Sequence, residues 1–203
     1  MSQPSYKLTY FDARGLAEPI RLLLAYVKIP FEDVRTKEWA SLKPKTPFRQ
    51  IPILEFDGKQ FGQSHAITRY LAKKHKLAGT NDEEQLLVDG VADYVKDIFA
   101  ARLKWWFEKD PETKKKLQEE YFKTNLVAQA EILQALLKEG GGQFFVPSGV
   151  TFADFVVANE FFSLKKHYPT ALEPFPELKA HLERVHNLPG IKEWVAQRPD
   201  TDN

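Results

Sequence analysis

Apolar residues recur with two spacings up to about Gly79, and with one spacing from Asp82 onward. Tyr6-Lys7-Leu8-Thr9-Tyr10-Phe11 is rich in aromatic and β-favouring residues and predicts a short strand. Ala17 to Val27 predicts a helix with Pro19 in its first turn and Ile20, Leu23, Leu24 and Val27 on one stripe. Phe31 to Arg35 predicts a second strand, and an irregular stretch follows around Trp39 to Pro47. Behind Ile51-Pro52, the apolar run Ile53 to Phe56 predicts a strand, Asp57-Gly58 a turn and Lys59 to Gly62 the return strand. Ser64 is expected to cap a helix whose apolar positions are Ile67, Tyr70 and Leu71. A β-α-β crossover makes the first two strands parallel and the hairpin is antiparallel, so the expected sheet is mixed and four-stranded.

Beyond Asp82 every period is helical. A long helix is expected from about Asp82 to Glu108, with Leu87, Val91, Val95, Ile98 and Arg102-Leu103 inward. Asp110-Pro111 opens a second helix, expected to run to Gly140-Gly141-Gly142. Thr151-Phe152-Ala153-Asp154 forms a capping box with aspartate in the glutamate position, and Val150 and Phe155 take the staple positions. Pro176 and Pro189-Gly190 open two shorter helices. The expected organisation is an α/β domain over 1–79 and an all-α domain over 82–203, joined by the Lys76 to Glu84 segment.

Composition narrows the chemistry. With 43% apolar and 28% charged residues the 203-residue chain belongs with globular proteins. Lys plus Arg (29) nearly cancels Asp plus Glu (28), so no nucleic-acid footprint is expected. Lys114-Lys115-Lys116, followed by Glu119-Glu120, fits a solvated helix face. No apolar stretch approaches a membrane span, and Met1 to Ser5 holds no signal-peptide core. The expected location is cytoplasmic, with export by another route left open. The chain has no cysteine, so any sulfur chemistry must come with a ligand. The five histidines show no paired metal-ligand spacing, and no metal site is expected.

Two features point to a ligand. Pro52 cannot donate to a ladder and stands just before a strand, a position that admits a cis Ile51–Pro52 bond presenting Ile51 main-chain groups to a peptide. The helix start at Ser64 offers N–H groups that suit a carboxylate. Together they suggest a peptide-shaped ligand with a carboxylate at one end. Taken alone, the pattern is accounted for more simply by an ordinary hairpin with a satisfied helix cap.

Lys7 to Phe11, Arg14-Gly15 with Ala17-Glu18, Pro47-Phe48, Ile51 to Glu55, Asp57-Gly58, Gln63-Ser64 and the Thr151 to Asp154 box resemble, in order and across essentially the whole chain, the sigma-like glutathione transferases. The likeness is to the nematode enzymes and, more distantly, to haematopoietic prostaglandin D synthase. It implies a thioredoxin-like N-terminal domain, an all-helical C-terminal domain and a homodimer. Reduced glutathione would be a co-substrate, with no cofactor.

The resemblance singles out Tyr10, among the strand aromatics Tyr6, Tyr10 and Phe11, as the catalytic hydroxyl that favours thiolate over thiol. Lowering a thiol pKa from near 8.5 by about two units takes roughly 2.7 kcal/mol. One charge-assisted hydrogen bond contributes about 1.5–3 kcal/mol, so one hydroxyl is enough to carry most of the effect. The resemblance further implies that Ser64 holds the γ-glutamyl carboxylate. Gln63 and, from the partner subunit, Asp97 address the ammonium, and Asp93 matches a carboxylate on the same helix face. Ile51, with Pro52, pairs its main chain with the cysteinyl unit. Trp39, Lys43 and Gln50 face the glycyl carboxylate.

A second substrate, a small hydrophobic electrophile, is expected between the two domains, with Arg102, Lys104, Trp105 and Trp106 as lining and Asp12 and Leu16 as rim. Leu16 replaces an arginine of the prostaglandin synthase, Lys96 an acidic residue and Lys104 a tryptophan, and all three count against isomerase activity. Arg49 replaces a glycine common after Pro47-Phe48. The leading expectation is conjugation of glutathione to electrophiles, a detoxification. Alternatives are a carrier of haem or other flat hydrophobic ligands, a glutathione-dependent prostaglandin isomerase, and a catalytically silent relative.

Overall fold

The computed structural model describes residues 6–201. Met1 to Ser5, where no targeting signal is expected, lie outside the described residues. By contact the chain falls into two units. One runs up to Leu77 and takes up the chain again from Val185; the other is Ala78–Arg184. The expected division near Gly79 had assigned everything from residue 82 onward to the second domain.

In the first unit, β1 (Tyr6–Phe11) pairs in parallel with β2 (Phe31–Thr36), Tyr6 opposite Phe31 and Phe11 opposite Thr36. On its other side β1 is antiparallel to β3 (Ile53–Phe56), which forms a hairpin with β4 (Lys59–Gly62). The strand order β2-β1-β3-β4 is the expected mixed sheet. Tyr6, Leu8 and Tyr10 alternate inward along β1, as a half-covered strand requires.

Helix α1 (Glu18–Tyr26) follows one 3₁₀ turn, Gly15–Ala17, and buries Ile20, Leu22, Leu23 and Leu24. The stretch expected to be irregular contains a short helix, α2 (Trp39–Leu42), and two 3₁₀ turns, Lys43–Lys45 and Pro47–Arg49. Helix α3 (Ser64–Lys74) packs on α1 and buries Ile67 and Leu71. Tyr70, expected on the same stripe, is 44% exposed, because at the edge of that arc its ring stacks on Phe56 instead (centroids 5.5 Å apart).

In the second unit, α4 (Asp82–Trp106) begins on Asn81, whose side chain accepts from Glu84 N at 2.8 Å. Its buried stripe is Val88, Val91, Val95, Ile98, Arg102 and Trp105; Leu87 and Leu103, expected inward, are only half-buried. Asp110 caps α5 (Pro111–Glu120), accepting from Thr113 N at 2.8 Å. The single helix expected from there to Gly140 is interrupted by a π turn at Tyr121–Asn125, after which α6 (Leu126–Glu139) continues.

The capping box forms at the start of α7 (Phe152–His167), where Asp154 Oδ2 accepts from Thr151 N at 2.7 Å. The same carboxylate uses Oδ1 to meet His181 Nε2 at 2.9 Å on α8 (Pro176–His186). With α7 buried along nearly its whole length, this box anchors the centre of the helical unit.

The returning chain forms α9 (Ile191–Gln197), which packs on α1. Gly190 opens α9 at φ +83°, and a Cβ there would collide with the Ala25 carbonyl. Glycine at this point therefore permits the two helix ends to touch.

Candidate functional site

Tyr10 stands near the end of β1 with 8% of its surface exposed. The Leu16 N–H donates to its phenolic oxygen at 3.3 Å. The hydroxyl proton has no acceptor among the described residues and is available to a ligand. Burial pushes this hydroxyl above its ordinary range, against the lowering influence of the Leu16 N–H and the Arg21 charge. It therefore stays protonated, and a donor, throughout neutral pH.

The Tyr10 ring is held in an edge-to-face series. Phe11 lies 5.5 Å away between centroids, and Trp39, at the start of α2, lies 5.9 Å from Phe11. Lys43 follows Trp39 by one turn and is exposed. Asp12, at the end of β1, pairs with Arg35 at 3.1 Å. Leu16 contributes its N–H through the 3₁₀ turn and is half-exposed.

The Ile51–Pro52 peptide is cis, and both residues are buried at the entry to β3. A short step away, Gln63 Nε2 donates to Gln50 Oε1 at 2.9 Å, so these two side chains meet. Here the structure corrects the sequence expectation at one residue. Ser64 is the first residue of α3 and its N-cap is Gln63, which caps with no side-chain bond. Gln63 stands at φ 72°, ψ 102°, a conformation that side-chain-bearing residues rarely adopt and that surroundings must enforce. A helix start without a side-chain cap keeps its N–H groups for an anion.

Phe48 and Arg49, just before this segment, also stand at positive φ, 56° and 50°. Glycine adopts this conformation without penalty, which gives a physical reason for the glycine that Arg49 replaces.

The residues expected to line a second-substrate site and to reach a neighbouring subunit belong to the helical unit, whereas the expected rim residues Asp12 and Leu16 belong to the first. Asp97 and Asp93 lie on the exposed side of α4, and Lys104 is exposed. Trp106 is half-buried beneath the Arg102 guanidinium, 5.8 Å from its ring centroid. Arg102 and Trp105 do not line an open surface, being only 3% and 2% exposed. Arg102 grips Glu160 with two bonds, of 2.7 and 3.1 Å. Trp105 is ringed by Trp106, Tyr121, Phe122 and Tyr168. Among the described residues no group of three His, Asp or Glu side chains is placed to hold a metal ion.

Sequence reasoning missed the charged cluster beneath Tyr10. Arg14, Glu18 and Arg21 are all essentially unexposed. The signal was the spacing of Glu18 and Arg21, one helical turn apart on a stripe that also carries leucines.

Comparison with known proteins agrees with this architecture. Family models for the glutathione S-transferase N-terminal and C-terminal domains match residues 6–73 and 96–198. Glutathione S-transferase 4 of Caenorhabditis elegans is 40% identical over 98% of this chain and 99% of its own length. The solved structure of prostaglandin synthase D of Nilaparvata lugens superposes with a TM-score of 0.92, at 38% identity over 98% of this chain and all of that one. Monomeric Na-GST-3 of the hookworm Necator americanus gives 0.90, at 37% identity over 98% of this chain and all of that one. The mixed sheet and the helices after it are thus the thioredoxin-like and helical domains of one enzyme family, and the chain belongs to the glutathione S-transferases.

Proposed function

We propose that the chain joins reduced glutathione to hydrophobic electrophiles, a detoxifying reaction, with Tyr10 steadying the sulfur as thiolate. The observation that carries the proposal is the state of the Tyr10 hydroxyl. Its oxygen accepts from Leu16 N–H, its proton is uncommitted among the described residues, and burial keeps that proton in place at neutral pH. The thiol proton leaves to solvent, and the sulfur lone pair forms a bond to the electrophilic carbon. In a chlorinated dinitrobenzene, chloride departs with the electron pair of the broken bond. The protein supplies proximity and one directed hydrogen bond.

Residues 1–79 bind the tripeptide in this proposal. The uncapped start of α3 and Ser64 take the γ-glutamyl carboxylate, and Gln63, fixed against Gln50, takes the ammonium. The Ile51 main chain, held beside Pro52, pairs with the cysteinyl unit. Trp39, Lys43 and Gln50 take the glycyl end. Residues 82–203 contribute the surface for the electrophile.

The test is Tyr10→Phe, assayed with a chlorinated dinitrobenzene. Turnover should fall by about one to two orders of magnitude, or about 1.4–2.7 kcal/mol of transition-state stabilisation, with glutathione binding retained. Unchanged turnover rejects the assignment.

A homodimer, with Asp97 of each subunit addressing the other's ammonium site, forms part of the proposal. Support comes from an unusually apolar face of the first unit. Phe48 is 70% exposed, Phe61 40% and Tyr70 44%, beside a groove of about 330 Å³ lined by Leu54, Phe56, Ala66 and Ile67. Contiguous exposed aromatics of this kind mark association surfaces. Because the hookworm relative is described as monomeric, sedimentation of this chain is the deciding measurement. The cytoplasm is the proposed location; among the described residues no helix is long and apolar enough to cross a membrane.

The likeness to a prostaglandin synthase D favours a second reading, glutathione-dependent isomerisation of a prostaglandin endoperoxide. Leu16 and Lys104 remove an arginine and a tryptophan that the resemblance associates with that activity. Conjugation is the reading the site supports best.

A further inference from the structure

Glu18 opens α1 with no exposed surface, and the proposed reaction leaves its carboxylate unused. One oxygen accepts from Arg21 Nη1 at 3.1 Å. The other accepts from Trp194 Nε1 at 2.8 Å and from Arg198 Nη1 at 2.6 Å. Burial alone would push this carboxyl up. The Arg198 and Arg21 charges and the Trp194 N–H outweigh burial and hold it below its ordinary range. A carboxylate at such depth is tolerated only where cations and donors are fixed around it.

Those partners tie two remote parts of the chain to one loop. Arg21 Nη1 also donates to the Ala13 carbonyl at 2.8 Å and lies 3.5 Å from the Arg14 carbonyl. Its Nε pairs with Asp33 on β2 at 2.8 Å. From the other direction, Arg14 Nη1 donates to the Thr201 carbonyl and sits 3.4 Å from Thr201 Oγ1. Residues 13 and 14 are therefore gripped by α1 and by the segment 194–201 together. The next two residues meet Tyr10 directly. Gly15 lies against its ring, and the Leu16 N–H reaches its oxygen.

We infer that Glu18, with Trp194 and Arg198 of the C-terminal segment, is a positioning residue for Tyr10, setting where the 13–16 loop places the phenol and so how well it steadies the thiolate. The inference rests on the assignment of Tyr10 made above. It gives α9 and the residue that follows it a part in the chemistry, exerted through the 13–16 loop.

The experiment follows the ultraviolet band of glutathione thiolate bound to the full-length protein across pH, alongside steady-state kinetics. The proteins compared are wild type, Tyr10→Phe, Arg198→Met, Arg198→Lys and Trp194→Phe. Arg198→Met should raise the bound thiol's pKa by about half a unit or more and lower kcat/KM about threefold or more. The KM for glutathione should move less than about twofold, since the tripeptide's own contacts remain. Arg198→Lys should recover part of the loss by restoring the cation. Trp194→Phe removes one donor while keeping a ring, so it carries the test if Arg198→Met does not fold.

An unchanged thiol pKa in the folded Arg198 and Trp194 variants overturns the inference, as does a KM that rises in step with the fall in kcat. If Tyr10→Phe itself leaves the thiol pKa unmoved, the assignment of Tyr10 fails and takes this inference with it. If Tyr10→Phe shifts it and the C-terminal variants do not, only the inference fails.

Discussion

Gly15 and Tyr10 are in such close contact that a Cβ at position 15 would stand 2.7 Å from the phenolic oxygen and 2.9 Å from Cε1. The residue also sits at φ +40°, where a side chain is strained whatever the space. Gly15→Ala should therefore push the ring off its position and lower kcat/KM roughly tenfold, about 1.4 kcal/mol. In a Tyr10→Phe background the same change should cost much less activity, since the displaced hydroxyl is already gone. Kinetics of the two single variants and the double variant check this.

Gln63 combines an unfavourable backbone with a bond to Gln50. Gln63→Ala removes the amide while keeping a Cβ at the N-cap. The KM for glutathione should rise about fivefold or more with kcat changed less, as for lost ground-state binding. Titration calorimetry with glutathione should show the same loss of affinity.

Arg49 occupies a left-handed conformation at φ 50° on the surface. That strain amounts to about 1–2 kcal/mol, partly offset by glycine's larger unfolded-state entropy of about 0.5–1 kcal/mol. Arg49→Gly should therefore stabilise the protein by about 0.5–1 kcal/mol. Urea denaturation measures it, and a loss of stability would contradict the conformation described.

Glu84 joins the start of α4 to the loop before α7. Its carboxylate accepts from Thr80 N and Oγ1, each at 2.7 Å, and from Ser148 Oγ at 2.7 Å. The Thr80 N–H and the Ser148 hydroxyl are the main causes that lower its pKa from the ordinary 4.5 to about 2. A folded-state value below the unfolded one stabilises above the unfolded pKa. The contribution is complete above about pH 5 and fades as pH falls toward 2. Glu84→Gln should lower the melting temperature at pH 7 and flatten its decline in acid. Thermal melts of both proteins between neutral pH and pH 3 test the sign.

The parts of the fold that were legible beforehand are those whose cause is local. The β1 alternation, the Asp57-Gly58 turn, the Asp110-Pro111 helix start and the Thr151 to Asp154 box each put their determinants within a few residues. The misjudged features depend on partners remote in sequence, or on backbone states that no side chain announces. Ser64 is the better capping residue by type, yet the left-handed turn at Gln63 moves the cap back by one. The π turn at Tyr121–Asn125 carries neither proline nor glycine and so offers no breaker signal. Arg102 has the look of a pocket cation until Glu160, 58 residues away, is seen to hold it. At the candidate site, the residue types came from a family resemblance, and the Tyr10–Leu16 and Gln50–Gln63 contacts arise from backbone turns that no residue type announces.

The return of residues 185–201 to the sheet-bearing unit has a consequence for synthesis. A nascent chain releases the sheet, α1 and α3 first, while Trp194 and Arg198 are still untranslated. Until the intervening 107 residues of Ala78–Arg184 have emerged, Glu18 is a carboxylate inside a young core with Arg21 alone of its three donors. Folding along the ribosome usually completes earlier-made portions first; here the earlier portion must wait for residues 194–198 before its interior carboxylate gains its remaining partners.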